Sequence, residues 1–165
     1  MLVGCQGAEE KNATRIRGLQ REGDLEALKS LLDTDDADLR CRAEKAVVWT
    51  RSLALAETHA ALLGGHPCDW RVQTEAAWRL FEEDAPNAVP ALVAALADPA
   101  PEVRWNVARI LGYLRAEPAR AALGRCESDA DKFVAAWCRW SVCKLDGRPD
   151  CHRPNMNLTN GKPAP

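Results

Sequence analysis

The 165-residue chain predicts an all-α fold, an α-solenoid of about four helical hairpins. Three observations predict it. Alanine, leucine, arginine and glutamate abound while valine, isoleucine and aromatic residues are sparse, which favours helix over strand. Apolar residues recur at helical spacing in four stretches, each interrupted by a turn. The second halves of these stretches align on Leu39, Val72, Val103 and Val134, at an offset of roughly 32 residues that suits stacked helical repeats.

The hairpins are expected near residues 23–52, 54–83, 86–115 and 118–145. In the first, Leu25, Leu28, Leu31 and Leu32 precede an acidic turn, and Leu39, Ala43, Ala46 and Val47 follow it. The second turns at Gly64-Gly65-His66-Pro67 and continues with Val72, Ala76 and Leu80. The third is the clearest. Val89, Leu92, Val93 and Leu96 lead to Asp98-Pro99-Ala100-Pro101, where two prolines around one small residue stop a helix, and Val103, Val107, Ile110, Leu111 and Leu114 form the next apolar face. The fourth turns at 128–131 and continues with Val134, Cys138, Val142 and Leu145. The chain therefore divides into a polar tether over 1–14, a repeat domain over 15–145 and an irregular, proline-containing tail over 146–165.

Composition narrows the function classes. The net charge of −2 supplies no basic excess for a phosphate backbone, so no nucleic-acid partner is expected. The three histidines, His59, His66 and His152, fall in a first helix, a turn and the tail, with no ligand or nucleophile at catalytic spacing. No phosphate-binding glycine loop is present, and Gly64-Gly65 suits a helix end. The acidic group Asp33, Asp35, Asp36 and Asp38 suits a helix start, where the dipole favours negative charge. Cys138, Cys143, Cys151 and His152 have no common zinc spacing. The expectation is a protein with no enzymatic activity, no cofactor, no metal and no small-molecule substrate.

DPAPEVRWNVARILGYL resembles the second half of a HEAT repeat of the short bacterial, PBS-lyase type, in which an Asp-Pro turn leads into E-V-R and A-x-x-L-G. RIRGLQREGDLEALKSLLDTDDADLRCRAEKAV resembles the same unit with its lead-in, so the resemblance spans about Ile16 to Leu145. It implies an armadillo-type scaffold, a fold that carries many roles. The Asp-to-Arg pair of such repeats is complete only as Asp98 and Arg104, because the second hairpin has Pro67 and Gln73 there. The alternative that the resemblance implies is a DNA-binding protein like the HEAT-like-repeat alkylation-repair glycosylases.

Leu2-Val3-Gly4-Cys5 resembles the cleavage motif of a bacterial lipoprotein, with Cys5 as the lipidated residue and a polar run after it. The apolar segment that precedes such a motif is not in this sequence, which implies a start upstream of Met1. With Cys5 acylated, Cys41, Cys68, Cys126, Cys138, Cys143 and Cys151 remain, an even set that permits three disulfides in an oxidising periplasm. Cys143 with Cys151 is the first pair to expect, since Gly147 and Pro149 let the chain return along the helix end. The expected localisation is periplasmic and membrane-anchored; the alternative is a cytoplasmic protein with cysteines as apolar fillers.

On a helical wheel, Trp105 points about 200° from Val103, opposite the core face. Its counterparts are Cys41, Thr74 and Ala136, and one turn later come Lys45, Trp78, Arg109 and Trp140. Second helices of such stacks line the concave surface, so a groove carrying Lys45, Trp78, Trp105, Arg109 and Trp140 is expected to bind a protein partner. The last helix is apolar on nearly every side between Phe133 and Cys143, so the tail and a partner are expected to cover it.

Overall fold

The computed structural model describes residues 3–65, 67–83 and 88–155. His66, named above in a turn, and the tail residues 156–165 lie outside them. Among the described residues there are nine α-helices and no strand: α1 (Val3–Glu22), α2 (Leu25–Ser30), α3 (Ala37–Trp49), α4 (Ala56–Gly64), α5 (Trp70–Glu82), α6 (Ala88–Ala95), α7 (Pro101–Leu114), α8 (Arg120–Cys126) and α9 (Lys132–Leu145). The hairpins α2–α3, α4–α5, α6–α7 and α8–α9 stack in order, and α3, α5, α7 and α9 form one continuous layer.

Each second helix starts where local chemistry satisfies its free N–H groups. Asp36 caps α3 by accepting from Leu39 N (3.0 Å), Asp69 caps α5 from Arg71 N (2.9 Å), and Asp131 caps α9 from Phe133 N and Val134 N. Pro101 opens α7, where its missing N–H is not needed. The apolar stripes named above then meet in one core: Ala43, Val47, Val72, Ala76, Val103, Val107, Ile110, Leu111 and Val134 are essentially inaccessible to solvent.

α1 was not foreseen as an element. It runs unbroken across residue 14 and packs on α3, in the place that a preceding second helix would take. Residues 7–11 are exposed, and the Asn12 side-chain amide donates to Asp36 and Asp38 at 3.1 and 3.0 Å. The polar composition hides this helix from periodicity, because among its described side chains only Ile16 is deeply buried.

The Asp98–Arg104 pair is not formed within one hairpin as the motif implied. Arg104 donates to the backbone oxygens of Asp98 and Pro99, and its fork reaches Asp129 of the next turn at 2.8 and 2.9 Å. The Asp98 carboxylate receives Gln73 Nε2 at 2.6 Å and Ala100 N at 2.8 Å. The rungs thus run between hairpins, and Gln73 acts where arginine was absent. Between the first and second hairpins Pro67 offers no carboxylate. There the Cys41–Cys68 disulfide joins α3 to the next turn, and Glu44 accepts from Cys68 N at 2.9 Å.

Candidate functional site

In helical register α3, α5, α7 and α9 carry three rows of side chains. The first is Cys41, Thr74, Trp105 and Ala136; the second Lys45, Trp78, Arg109 and Trp140; the third, one turn further, Trp49, Glu82, Tyr113 and Lys144. The centre is packed with its own aromatic rings. The Arg109 guanidinium lies 4.7 Å from the Trp78 ring, 5.1 Å from Trp105 and 5.6 Å from Trp137. Trp105 stacks on Trp137 at 6.2 Å and meets Phe133 edge-on at 5.3 Å. Burial pushes Arg109 below the usual arginine range, Arg153 pushes the same way, and Tyr113 opposes them. Three indole faces offset part of that desolvation through their quadrupoles.

Trp140 is not on the open wall where the wheel put it. It is only 4% exposed, because Gly112 on α7 has no side chain and α9 comes close enough for the indole to seat against it. Tyr113 covers the ring edge-on at 5.2 Å and Trp137 stands edge-on to it at 5.3 Å. Trp137, absent from the expected set, instead completes the cage around Arg109. Its place three residues after Val134 sets it near the core face of α9, and only the adjacent helix brings Trp105 and Arg109 to it.

Among the described residues the most open large apolar side chain is Trp49, at 65% exposed. A cleft of about 410 Å³ on one side is lined by Ile16, Arg17, Arg42, Lys45 and Trp49. A second cleft of about 400 Å³ on the other side is lined by Lys45, Trp49, Arg71, Thr74 and Glu75. Lys45, foreseen as a groove residue, is exposed between the two. Trp49 was missed although it sits two turns beyond Cys41 in the same register; extending the row by one turn finds it.

The tail returns along α9 as far as it is described. Cys143 is bonded to Cys151, and Ala136, Arg139, Trp140, Cys151 and Pro154 line a cleft of about 290 Å³. Arg153 then reaches α7, with its guanidinium 5.3 Å from the Tyr113 ring.

A family model for HEAT repeats matches residues 55–143, the span from α4 to α9. The chain belongs to the HEAT-repeat family. No protein of curated function matches it. The hairpin that precedes the matched span, α2–α3, has the same architecture and extends the HEAT stack toward the N-terminus. HEAT repeats commonly serve as protein-interaction scaffolds.

The HEAT core holds its six cysteines as three disulfides: Cys41–Cys68, Cys126–Cys138 and Cys143–Cys151, with Cα separations of 5.5, 5.7 and 5.7 Å. Cys41, Glu44 and Cys68 bring potential metal-ligand atoms within 4.8 Å of one another, but the disulfide between the two sulfurs leaves one carboxylate. His59 is fully buried, with Nδ1 3.4 Å from Glu83 Oε2 and Nε2 3.4 Å from Val47 O, and fills the joint between two hairpins. The Cys5 side chain lies outside the described residues. Among the described residues no helix is long and apolar enough to cross a membrane.

Proposed function

We propose that this HEAT protein is a non-enzymatic scaffold that binds an extended or helical segment of another protein across its second-helix face. The observation that carries this is Trp49, an exposed indole between two clefts with Lys45 beside it. An exposed tryptophan beside cations has the chemistry of a binding hot spot. Trp78, Trp105 and Arg109 form a preorganised floor beside it, since their mutual packing leaves little side-chain entropy to lose on association. Trp140 packs edge-on against Trp137, which lies under the Arg109 guanidinium.

We further propose that the chain works in an oxidising compartment, tethered to a membrane through a lipid on Cys5. The three disulfides support the compartment, because such bonds persist where thiols are not continually reduced. Metabolic labelling with a fatty acid, comparing the native protein with C5S, tests the anchor: label retained by C5S overturns it.

The binding face is tested with a photo-crosslinking amino acid at position 49 and, as a control, at Ala122 on the first-helix side. Crosslinking in the native cell is expected to trap a discrete protein from position 49 and none from 122. Equal trapping from both positions, or an oligonucleotide trapped at 49, overturns the proposal.

A further inference from the structure

The far end of the same face carries three cations, and among the described residues no carboxylate pairs with them. Tyr113 is 36% exposed, with Arg153 over its ring and Trp140 against its edge. Lys144 Nζ lies 6.0 Å from the Trp140 ring, and Arg109 sits one turn before Tyr113 on α7. Among the described residues, none of Arg109, Lys144 and Arg153 makes an ion pair. Elsewhere the chain pairs its arginines readily: Arg42 with Asp38, Arg79 with Glu75 and Glu82, Arg104 with Asp129, and Arg120 with Glu117 and Asp146. Arg109 donates through Nη2 to Asn106 Oδ1 at 3.0 Å, while its buried Nε has no acceptor. A half-buried guanidinium with a second guanidinium nearby is an unfavourable arrangement in isolation. An arriving anion makes it favourable, because desolvated charge-assisted bonds are the strong ones.

We infer that this corner is a carboxylate subsite that takes an aspartate or glutamate of an acidic partner segment, with Arg109 and Arg153 as the charges and Tyr113 as the ring against which the neighbouring residue packs. It rests on the second-helix face being a protein-binding surface. The occupant is an acidic peptide rather than a nucleic acid because this cluster of cations is cut off from Lys45 and Arg71 beside Trp49. A phosphate backbone needs a continuous path of them, and Glu75 and Glu82 on α5 interrupt any such path toward Trp49. Arg109, flanked by rings, has the planar fork that suits a carboxylate.

The test uses the disulfide-intact protein and a blocked peptide of alternating Glu and Leu, with its Gln-for-Glu counterpart as control. The Arg109 Nε–H resonance and the indole fluorescence are followed during titration. Saturable shifts with the acidic peptide are expected, with affinity about tenfold weaker for the Gln peptide and for R153Q. R153Q changes an exposed side chain, so it keeps the fold where R109Q could disturb the ring cage. Equal affinity of the two peptides, no saturable shift with either, an unchanged R153Q, or tighter binding of a single-stranded oligonucleotide overturns the subsite. Failure here leaves the crosslink at position 49 standing, whereas loss of that crosslink with intact peptide binding sinks the scaffold proposal alone.

Discussion

At the residue scale, the interhairpin rungs set how charge contributes to stability. The Arg104–Asp129 pair is largely shielded, at 16% and 13% side-chain exposure, and its two bonds join adjacent HEAT units. Removing Arg104 leaves Asp129 and two turn carbonyls short of a donor, so R104A is expected to destabilise by about 2–3 kcal/mol in chemical denaturation. The Arg104 hydrogen bond also holds the Asp129 carboxyl below the usual range, against burial. A depressed pKa means the contribution is full above the ordinary aspartate value of about 3.9 and is lost as pH falls through the folded value. D129N should therefore be less stable than the parent at neutral pH, with the gap closing below about pH 4; a gap constant down to acid pH counts against this account. The tryptophans divide by burial. W137A removes a ring only 2% exposed and should cost about 3–5 kcal/mol, whereas W49A should stay within about 0.5 kcal/mol while losing its partner. Wheel geometry alone made Trp105 and Arg109 legible as neighbours. The cage around them was not legible, because Trp137 arrives from the next helix.

At the element scale, the approach of α7 to α9 depends on one absent side chain. A Cβ on Gly112 would stand 2.5 Å from Ser141 Oγ, 2.6 Å from the Trp140 ring and 3.0 Å from Ser141 Cα. Ser141 cannot simply turn away, since its hydroxyl donates to Ala108 O at 2.7 Å in a buried setting. G112A is thus expected to lower stability by about 1–3 kcal/mol despite alanine's better helix propensity, and to raise the exposure of Trp140. A neutral or stabilised G112A, read by thermal melting and indole quenching, contradicts the close packing. The hairpins themselves were legible because each has a 3.6-residue apolar stripe ended by proline, glycine or aspartate. Two features escaped. The described part of α1 buries too few apolar residues to show a stripe, and the burial of Trp140 is set by a glycine 28 positions away on another helix. Periodicity reports which face of a helix is apolar; it does not report how closely the next helix comes.

At the scale of the whole molecule, a stacked chain is only as cooperative as its joints, because each unit touches only its neighbours. The later joints have polar rungs, Gln73 to Asp98 and Arg104 to Asp129. At the first joint Pro67 removes the rung, and the covalent Cys41–Cys68 link stands there with the Glu44–Cys68 N bond. Arg79 Nε to Val48 O, at 2.9 Å, ties the opposite end of the same joint. A disulfide closing a separation of 27 residues restricts the unfolded chain by about 3–4 kcal/mol. Replacing Cys41 and Cys68 by serine should therefore not weaken the HEAT stack evenly. The joint loses its covalent link and keeps only the Glu44 bond to the residue-68 N–H beside it and the Arg79 bond at its far end, so α1–α3 should open separately from α4–α9. Hydrogen exchange is the direct measurement. Amides of α1–α3 should exchange faster in the double serine variant, while those of α7 and α9, held by the Arg104 rung and the ring cage, stay near parental protection. Restoring a rung by P67D in the same background should recover part of the lost protection if a carboxylate there can accept from Arg40. That residue is one position after Leu39, matching Arg104 after Val103, and already bonds its own turn at Thr34 O, 2.9 Å away. Uniform loss of protection across all four hairpins would mean that the stack unfolds as one unit and that the disulfide does not compensate for the missing rung.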